Sequence, residues 1–319
     1  MIGIVGGGAF GTALAIAYSR HSRTILWLRD ETAASELSRI RVNRRYLPEA
    51  ELPEALVVRA GAAALADCDI ILLCVPTQKL RSVLENQAGN LAGKTLVVCC
   101  KGAELKTGML PTEIVQSLLP GQSIAVLTGP SFASDIAQGL PTALCLAATG
   151  SQFQKELQTR LALPMIRIYR TGDMVGAQLG GALKNVVAIA CGAAIGAGLG
   201  ESARAALMTR GFAEMTVLAQ ARGASVETLM GLSGLGDLVL TCGSEQSRNF
   251  RFGVALGQGR EFDPAQTVEG SATCVALAAD PALKDAALPI VRVVADMVSG
   301  QLQVHDAIDR LLSRPLKEE

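Results

Sequence analysis

The pattern of apolar and polar positions divides the 319-residue chain into two halves of different character. From residue 1 to about residue 172, short apolar runs alternate with longer stretches of helical spacing. Most of these runs are continuous, which is typical of parallel strands that helices cover on both faces. The alternation predicts an α/β domain with a doubly wound parallel sheet over residues 1–172. The predicted strands are residues 1–5, 24–28, 56–59, 70–75, 95–99, 124–127, 142–147 and 166–169.

Beyond residue 172 the strand pattern stops, and Ala, Leu, Val and Met recur at helical spacing. This predicts a C-terminal all-α domain over residues 173–319. The most apolar run, residues 186–200, is shorter than the roughly 20 residues that span a bilayer, so we expect a core helix and no membrane span. Gly-rich or polar turns interrupt the helical pattern near residues 198–201, 231–236, 243–248 and 257–264.

A glycine-rich loop follows the first predicted strand directly. Gly6, Gly8 and Gly11 have the spacing Gly-x-Gly-x-x-Gly, and a helix-forming run comes next. The first glycine permits a tight turn, the second lets the backbone approach a pyrophosphate, and the third lets the helix pack on the strand. The helix N-terminus then faces the negative charge. The loop predicts a Rossmann-type dinucleotide site, and the alternative is a purely structural turn.

Arg29 and Asp30 follow the second predicted strand. An acidic side chain there binds the ribose 2′-hydroxyl of NAD, whereas an arginine suits the 2′-phosphate of NADP. Because Arg29 comes first, the sequence favours NADPH over NADH. The alternative is that Arg29 is a solvated surface charge.

Composition excludes several classes of function. Lys plus Arg and Asp plus Glu both total 29, so the net charge is zero, which argues against non-specific binding of nucleic acid. The eight cysteines form no CxxC pair and have no histidine at metal-binding spacing, so we expect no metal site. A disulfide framework is not expected in a chain of this length, and the loop at residue 6 leaves no cleavable signal peptide. These features indicate a cytoplasmic protein.

Two lysines interrupt apolar sequence. Lys101 follows the predicted strand 95–99, and Lys184 lies with Asn185 inside a long apolar helix. Burying a lysine is costly unless it has a partner or a task. We therefore interpret Lys184 as functional, with a side chain that extends to the surface as the alternative.

Polar residues also follow the long helix. Asp237 and Thr241 are four residues apart and share a helical face, although Asp237 alone could be a carboxylate at a helix start. Ser247, Arg248 and Asn249 concentrate donors suited to a phosphate, which Arg can bind through two hydrogen bonds. We include all five of these residues in a candidate substrate site with Asn185.

Together these residues resemble the bacterial NAD(P)-dependent glycerol-3-phosphate dehydrogenase family over nearly the whole chain. Cys100 departs from the family pattern, in which a small hydroxyl residue usually precedes the lysine. The matching motifs lie at residues 6–13, 26–29, 43–48, 75–76, 101–102, 129–133, 179–185, 234–242, 247–253, 268–270 and 314–317.

The resemblance implies a role for each matching position. Lys184 falls at the family's catalytic lysine, and we expect Lys101 and Asp237 to assist it. The positions that bind glycerol phosphate in relatives are Lys101, Gly129, Ser131, Asp237, Ser247, Arg248 and Asn249. The positions that bind the nicotinamide cofactor are Ala9, Phe10, Arg29, Lys101, Ala133, Arg248 and Glu269. The resemblance also implies a homodimer that reduces dihydroxyacetone phosphate to sn-glycerol 3-phosphate for phospholipid synthesis.

The chemistry fits these residues. As an ammonium, Lys184 would protonate the ketone oxygen, and as a neutral amine it would accept the alcohol proton in reverse. The pKa of Lys184 should lie below the usual value for lysine, because burial and the charge of Lys101 lower it while Asp237 opposes the change. Two alternatives stay open. One is another two-domain reductase, of the 3-hydroxyacid dehydrogenase or ketopantoate reductase class, and the other is a non-catalytic nucleotide sensor.

Overall fold

The computed structural model describes residues 1–312, apart from the side chains at positions 62, 308 and 312. The motif at 314–317 therefore lies outside the described residues. The chain divides into two compact units. The first contains Met1–Cys100 and Pro111–Met174, and the second contains Lys101–Leu110 and the described residues from Val175 onward. The short segment Lys101–Leu110, which the hydrophobic pattern places inside the first domain, thus belongs to the second unit.

The first unit is built on an eight-stranded sheet. Its spatial order, from one edge to the other, is β5-β2-β1-β6-β7-β8-β9-β10. The chain reverses its direction of winding between β1 and β6, as in other doubly wound folds. The strands of this sheet are β1 (Ile2–Val5), β2 (Thr24–Trp27), β5 (Val57–Arg59), β6 (Ile70–Leu73), β7 (Thr95–Val98), β8 (Ile124–Thr128), β9 (Thr142–Ala148) and β10 (Ile166–Thr171).

All eight predicted strands are present, and the predicted Rossmann-type α/β class is confirmed. The sheet is not wholly parallel, however. β8 and β9 pair antiparallel, and β10 is parallel to β9, so the last two strands oppose the other six. A buried apolar run has the same composition in either direction, so the sequence pattern carries no information on this point.

Helices bury both faces of the sheet. Ile4 and Leu72 belong to an apolar cluster to which several helices contribute. Ile71 and Leu73, which alternate with Leu72 along β6, are also buried but do not belong to that cluster. The strands therefore read as continuous apolar runs. The helices of this unit are α1 (Ala9–Ser19), α2 (Glu31–Ile40), α3 (Thr77–Leu91), α4 (Pro111–Leu118), α5 (Ala133–Gln138) and α6 (Ser151–Leu161), with a 3₁₀ turn at Ala62–Leu65.

A small hairpin that the hydrophobic pattern does not predict follows α2. It consists of β3 (Val42–Asn43) and β4 (Leu47–Glu51), which pair antiparallel. Most of β4 is exposed, so it lacks the apolar signal of a core strand. The hairpin has a clear role, because the Asn43 side chain donates hydrogen bonds to the Gly7 carbonyl and to Thr12 Oγ1, both at 2.8 Å.

The second unit is helical in the residues that the structure describes, as predicted. A π-helical turn at Leu232–Gly236 leads directly into α10, and a 3₁₀ turn occupies Pro281–Leu283. The predicted turns coincide with breaks between helices. The helices are α7 (Met174–Gly196), α8 (Gly200–Ala221), α9 (Val226–Met230), α10 (Asp237–Cys242), α11 (Arg248–Gly257), α12 (Glu269–Ala278), α13 (Pro289–Val298) and α14 (Val304–Leu312).

Glycines allow α7 and α11 to pack with their backbones in contact. A Cβ atom added at Gly192 of α7 would lie 2.1 Å from the Phe250 carbonyl oxygen, and one at Gly253 of α11 would lie 2.2 Å from that of Ile189. α7 is the one helix among residues 1–312 that is long and apolar enough to cross a membrane, but 89% of its most apolar window is buried inside the fold. Its Ala- and Gly-rich composition is accounted for by this close packing.

Candidate active site

The glycine-rich loop lies at the carboxyl ends of β1 and β6, where the winding of the sheet reverses. Gly6 has φ +117°, and a Cβ there would lie 2.8 Å from the Cys74 carbonyl oxygen. A Cβ at Gly11 would lie 2.1 Å from the Gly6 oxygen, so both positions require glycine for packing. At Gly8 a Cβ would meet nothing within 4 Å. The loop therefore leaves open space at the position where a pyrophosphate needs it.

The N-terminus of α1 suits an anion. Gly8 is its N-cap, no side chain caps it, and its first turn contains no acidic residue. The N–H groups of Ala9 and Phe10 belong to this first turn, and helix N-termini carry partial positive charge. The described residues at this edge thus fit a dinucleotide, with Asn43 holding the loop in shape.

The carboxyl end of β2 carries the residues that bear on cofactor choice. Arg29 is exposed and lies two residues beyond Trp27. Asp30 is the N-cap of α2, and its Oδ1 accepts a hydrogen bond from the Ala33 N–H at 2.8 Å. Asp30 therefore stabilises the start of α2. In the sequence analysis, Asp30 is considered only as a ligand of the ribose.

Three other predicted residues lie near the carboxyl end of β8, at the same edge of the sheet. Gly129 follows β8 with φ +135°, a conformation that favours glycine, and Ser131 Oγ donates to the Gly129 carbonyl at 3.2 Å. Ala133 is the first residue of α5. Because β1, β2, β6, β7 and β8 are parallel, their carboxyl ends share one edge.

In the second unit, Asp237 lies between two lysines. Lys184 Nζ is 2.6 Å from Asp237 Oδ1, and Lys101 Nζ is 2.6 Å from Asp237 Oδ2. Lys184 Nζ also donates to Thr241 Oγ1 at 2.7 Å. Asp237 is 1% exposed and Lys184 is 8% exposed, so the pair is buried. The structure thus brings together the three residues that are predicted to be catalytic, Lys101, Lys184 and Asp237, with Thr241 of the predicted substrate site.

Burial and charge together set the protonation of this cluster. Burial lowers the pKa of Lys184 from its usual 10.5 to about 8; Asp237 opposes the change and Lys101 adds to it. Burial acts to raise the pKa of Asp237, but the charges of Lys101 and Lys184 outweigh burial and hold that pKa below its usual value. At neutral pH the cluster carries two ammonium groups and one carboxylate, which is a net charge of +1.

A second polar group lies along α7 and α11. Asn249 Nδ2 donates to Asn185 Oδ1 at 2.9 Å, and Asn249 Oδ1 accepts from the Gly270 N–H at 3.0 Å. Ser247 is the N-cap of α11, with Oγ accepting from the Phe250 N–H at 3.2 Å. The first turn of α11 has no acidic residue. Residues 247–249 thus form a helix N-terminus that suits a phosphate.

Arg248 and Glu269 are the remaining predicted residues. Arg248 is the first residue of α11 and is exposed. Glu269 is the first residue of α12, directly before Gly270, whose N–H binds Asn249. Both therefore belong to helix starts that the Asn249 side chain connects.

Two further residues, Thr273 and Asn43, hold parts of the candidate site in position. Thr273 Oγ1 accepts a hydrogen bond from the Ala103 N–H at 3.3 Å, which attaches the segment that carries Lys101 to α12. No sequence signal marks Thr273, because it is a small polar residue in an ordinary helix. Asn43 is different, since it opens the motif at 43–48 that the family resemblance already includes.

Comparison with known proteins identifies the family. The N-terminal model of NAD-dependent glycerol-3-phosphate dehydrogenase matches residues 1–154, and the C-terminal model matches residues 173–309. The chain belongs to this family. The expected family and the expected class of enzyme, an NAD(P)-dependent oxidoreductase, are thereby confirmed.

Relatives match over the full length. The chain is 56% identical to glycerol-3-phosphate dehydrogenase (NAD(P)+) of Roseobacter denitrificans, over 100% of this chain and 99% of that protein. It is 52% identical to the protein of that name from Cereibacter sphaeroides, with 100% of both chains covered. Among solved structures, glycerol-3-phosphate dehydrogenase from Coxiella burnetii superposes with a TM-score of 0.92 at 37% identity, covering 98% of each chain. Membership of this family does not favour either alternative, another two-domain reductase or a non-catalytic nucleotide sensor.

Proposed function

We propose that this protein catalyses the NAD(P)-dependent interconversion of dihydroxyacetone phosphate and sn-glycerol 3-phosphate, chiefly in the direction of reduction. The observation that carries the proposal is the buried Lys184 ammonium beside Asp237 and Lys101. Ketone reduction needs a proton donor at the carbonyl oxygen, and a lysine of lowered pKa meets that need near neutral pH.

The cofactor would be held by the glycine-rich loop, the N-terminus of α1 and Arg29, on the evidence of the open space at Gly8 and the uncapped helix start. When bound, a reduced nicotinamide supplies the hydride that is added to carbon 2 of the substrate. Groups of this chain would bind and orient the substrate and supply the proton.

Lys184 Nζ is the proposed proton donor. An ammonium group has three N–H bonds, and the described residues supply two acceptors, Asp237 Oδ1 and Thr241 Oγ1. The third N–H is available to polarise the ketone oxygen and then to protonate it. Asp237 and Thr241 keep the resulting neutral amine in place until it regains a proton from solvent. In the oxidative direction that amine accepts the proton of the alcohol.

The net positive charge of the cluster favours the same chemistry. Negative charge develops on the ketone oxygen as carbon 2 is reduced, and preoriented positive groups in a buried site stabilise it strongly. Lys101 contributes this charge and also lowers the pKa of Lys184. Asp237 therefore positions both ammonium groups and prevents their mutual repulsion from separating them.

The substrate phosphate is proposed to bind at residues 247–249. The start of α11 offers backbone N–H groups, and Arg248 adds a guanidinium group that can bind phosphate through two hydrogen bonds. Asn185 orients the Asn249 amide, because Asn249 donates to it while accepting from Gly270.

We further propose NADPH as the preferred cofactor, because Arg29 follows β2 while the Asp30 carboxylate caps α2. The family resemblance also supports a homodimer in the cytoplasm that supplies sn-glycerol 3-phosphate to phospholipid synthesis. Size-exclusion chromatography with light scattering tests the homodimer directly, and a monomeric mass at assay concentration would contradict it.

The activity is tested by initial rates of NADPH and NADH oxidation, each measured with dihydroxyacetone phosphate and with ketopantoate. We expect turnover with dihydroxyacetone phosphate and a lower KM for NADPH than for NADH. Turnover with ketopantoate alone would replace the proposed substrate. No turnover with either, together with tight cofactor binding, would favour a nucleotide sensor.

A further inference from the structure

The strand next to β2 brings a second arginine to the edge where the cofactor's adenosine end is expected. β2 and β5 are parallel, and Arg59, the last residue of β5, is in register with Trp27. The Leu28 N–H donates to the Arg59 carbonyl at 2.9 Å. Neighbouring strands lie about 4.8 Å apart, so the backbone of Arg59 is close to the start of the loop that carries Arg29.

This arrangement is held firmly. Trp27 Nε1 donates to the Gly61 carbonyl at 2.8 Å, so the chain that leaves β5 is attached to β2 on both sides of Ala60. Gly61 has φ +82°, which permits the turn there. The position of the Arg59 backbone is therefore set by the sheet and not by a free loop.

Both guanidinium groups are available to a ligand. Arg29 and Arg59 are exposed, and within residues 1–312 neither makes an ion pair or a side-chain hydrogen bond. Arg59 lines a surface cavity of about 540 Å³ between α2 and β5, whose other walls include Glu31 and Ser35. Arg29 and Arg59 carry like charges near the ends of neighbouring strands, and a bound anion reduces the repulsion between them.

Asp30 and Glu31 also lie near this edge, and Arg39, which lines the same cavity, adds a third positive charge. Asp30 directs Oδ1 to the Ala33 N–H and so serves the N-terminus of α2. With Arg29, Arg39 and Arg59 counted against Asp30 and Glu31, the edge formed by β2 and β5 has a net charge of +1, which suits a phosphate group better than a ribose hydroxyl.

We propose that Arg59 acts with Arg29 as a specificity-determining residue that binds the 2′-phosphate of NADPH. This inference rests on the proposed function, because it concerns the cofactor of the same reaction. In the sequence analysis, the preference for NADPH is based on Arg29 alone, and this inference adds Arg59 of β5.

The test compares binding of 2′,5′-ADP and 5′-AMP, which differ only by the 2′-phosphate, using calorimetry. Wild type should bind 2′,5′-ADP more tightly. Arg59→Gln should weaken 2′,5′-ADP binding about ten-fold and leave 5′-AMP binding unchanged, since a charge-assisted contact is lost. Arg59→Lys should have a smaller effect, because charge remains but the planar fork does not. Arg23→Gln is the matched control, because Arg23 lies at the opposite end of β2.

Equal affinities of wild type for the two ligands would overturn the inference, and so would an Arg59→Gln variant that behaves like Arg23→Gln. Should Arg59→Gln fail to fold by circular dichroism, Arg59→Lys decides the question, and unchanged 2′,5′-ADP binding by that folded variant counts against the inference. A failure of this inference can be distinguished from a failure of the proposed function. Wild-type turnover with dihydroxyacetone phosphate tests the reaction, whereas the ligand titrations involve no turnover.

Discussion

At the scale of single residues, the candidate site depends on one carboxylate between two ammonium groups. Asp237 accepts from Lys184 and Lys101 through different oxygens, both at 2.6 Å. Removing one partner from a buried ion pair leaves an uncompensated charge, which is more costly than the pair itself. Substitutions of Lys184 and of Asp237 should therefore have different consequences, and Lys184 is the more informative choice.

Lys184→Met should abolish most of the turnover and leave folding intact. Methionine keeps much of the apolar stem, and Lys101 remains as a partner for Asp237. A positioned proton donor typically contributes a factor of about 10²–10⁴, and kcat should fall by that amount. Calorimetric titration with NADPH is the control, and its affinity should be unchanged. Near-normal turnover would show that another group, foremost Lys101, supplies the proton.

The lowered pKa of Lys184 predicts opposite pH profiles for the two directions. Reduction needs the ammonium, so kcat for reduction should fall as pH rises through about 8. Oxidation needs the neutral amine, so its kcat should rise through the same range. Initial rates in both directions between pH 6 and pH 10, with saturating substrates, measure this. Profiles with the same direction in both reactions would contradict the assignment of the proton to Lys184.

Arg248→Lys should lower kcat/KM for dihydroxyacetone phosphate although the charge is retained. A lysine cannot reproduce the two parallel hydrogen bonds that a guanidinium group makes to phosphate. Steady-state kinetics should show a loss of about ten-fold or more, equivalent to a charge-assisted hydrogen bond of about 1.5–3 kcal/mol. Arg260→Lys, on the exposed turn after α11, is the matched control. If the two variants are indistinguishable, Arg248 is only a surface charge.

At the scale of helices, the distance between the two polar groups of the second unit is set by the contact between α7 and α11. α7 carries Lys184 and Asn185, and α11 begins with Arg248 and Asn249. Gly192 and Gly253 face the backbone of the opposite helix with no room for a Cβ. A larger residue would separate the helices and move the proposed phosphate-binding residues away from Lys184.

Gly192→Ala should destabilise the protein and impair substrate binding together. The added Cβ would lie 2.1 Å from the Phe250 carbonyl oxygen, so the helices must shift, at a cost of about 1–3 kcal/mol. Urea unfolding should show this loss, and KM for dihydroxyacetone phosphate should rise. Gly89→Ala is the control, since its Cβ meets nothing within 4 Å inside α3. That control should be unchanged or more stable by about 0.5–1 kcal/mol.

At the scale of the whole molecule, burial of Lys184 links the chemistry of the site to the stability of the fold. The pKa of this lysine is lower in the folded protein than in the unfolded chain. Between those two values the unfolded chain binds the extra proton, so folding becomes more favourable as pH rises. The protein therefore accepts a stability cost at neutral pH to hold an ammonium group in the site.

The cost of burying the Lys184 ammonium should appear in the pH dependence of the free energy of unfolding. As pH rises from about 8 towards 10.5, wild type should gain stability relative to Lys184→Met, by at most about 1.4 kcal/mol per pH unit. Urea denaturation of both proteins at pH 7, 8, 9 and 10 measures the difference, in which titration of groups distant from Lys184 cancels. A constant difference across this range would mean that Lys184 is not held at a lowered pKa.

The sequence by itself determines the local parts of this protein. The positions of the eight sheet strands follow from apolar runs, and the glycine loop follows from spacing and context. The helical second half, with breaks where glycine and polar residues cluster, follows from periodicity. These features depend on residues close together in the chain, so propensity and pattern contain the information needed. The polar residues of the proposed site, above all Lys184 and Asp237, stand out for the same reason, because they interrupt apolar sequence.

The tertiary structure decides whatever depends on residues far apart in the chain. The local hydrophobic pattern does not predict the direction of β9 and β10 or the hairpin that fixes the glycine loop through Asn43. It also does not predict the hydrogen bond between Asn185 and Asn249. Lys101 follows β7 in sequence, yet its segment belongs to the second unit, where it reaches Asp237 136 positions away. Hydrophobic burial is non-directional and sets which segments are buried, whereas hydrogen bonds and ion pairs between distant residues set which side chains meet.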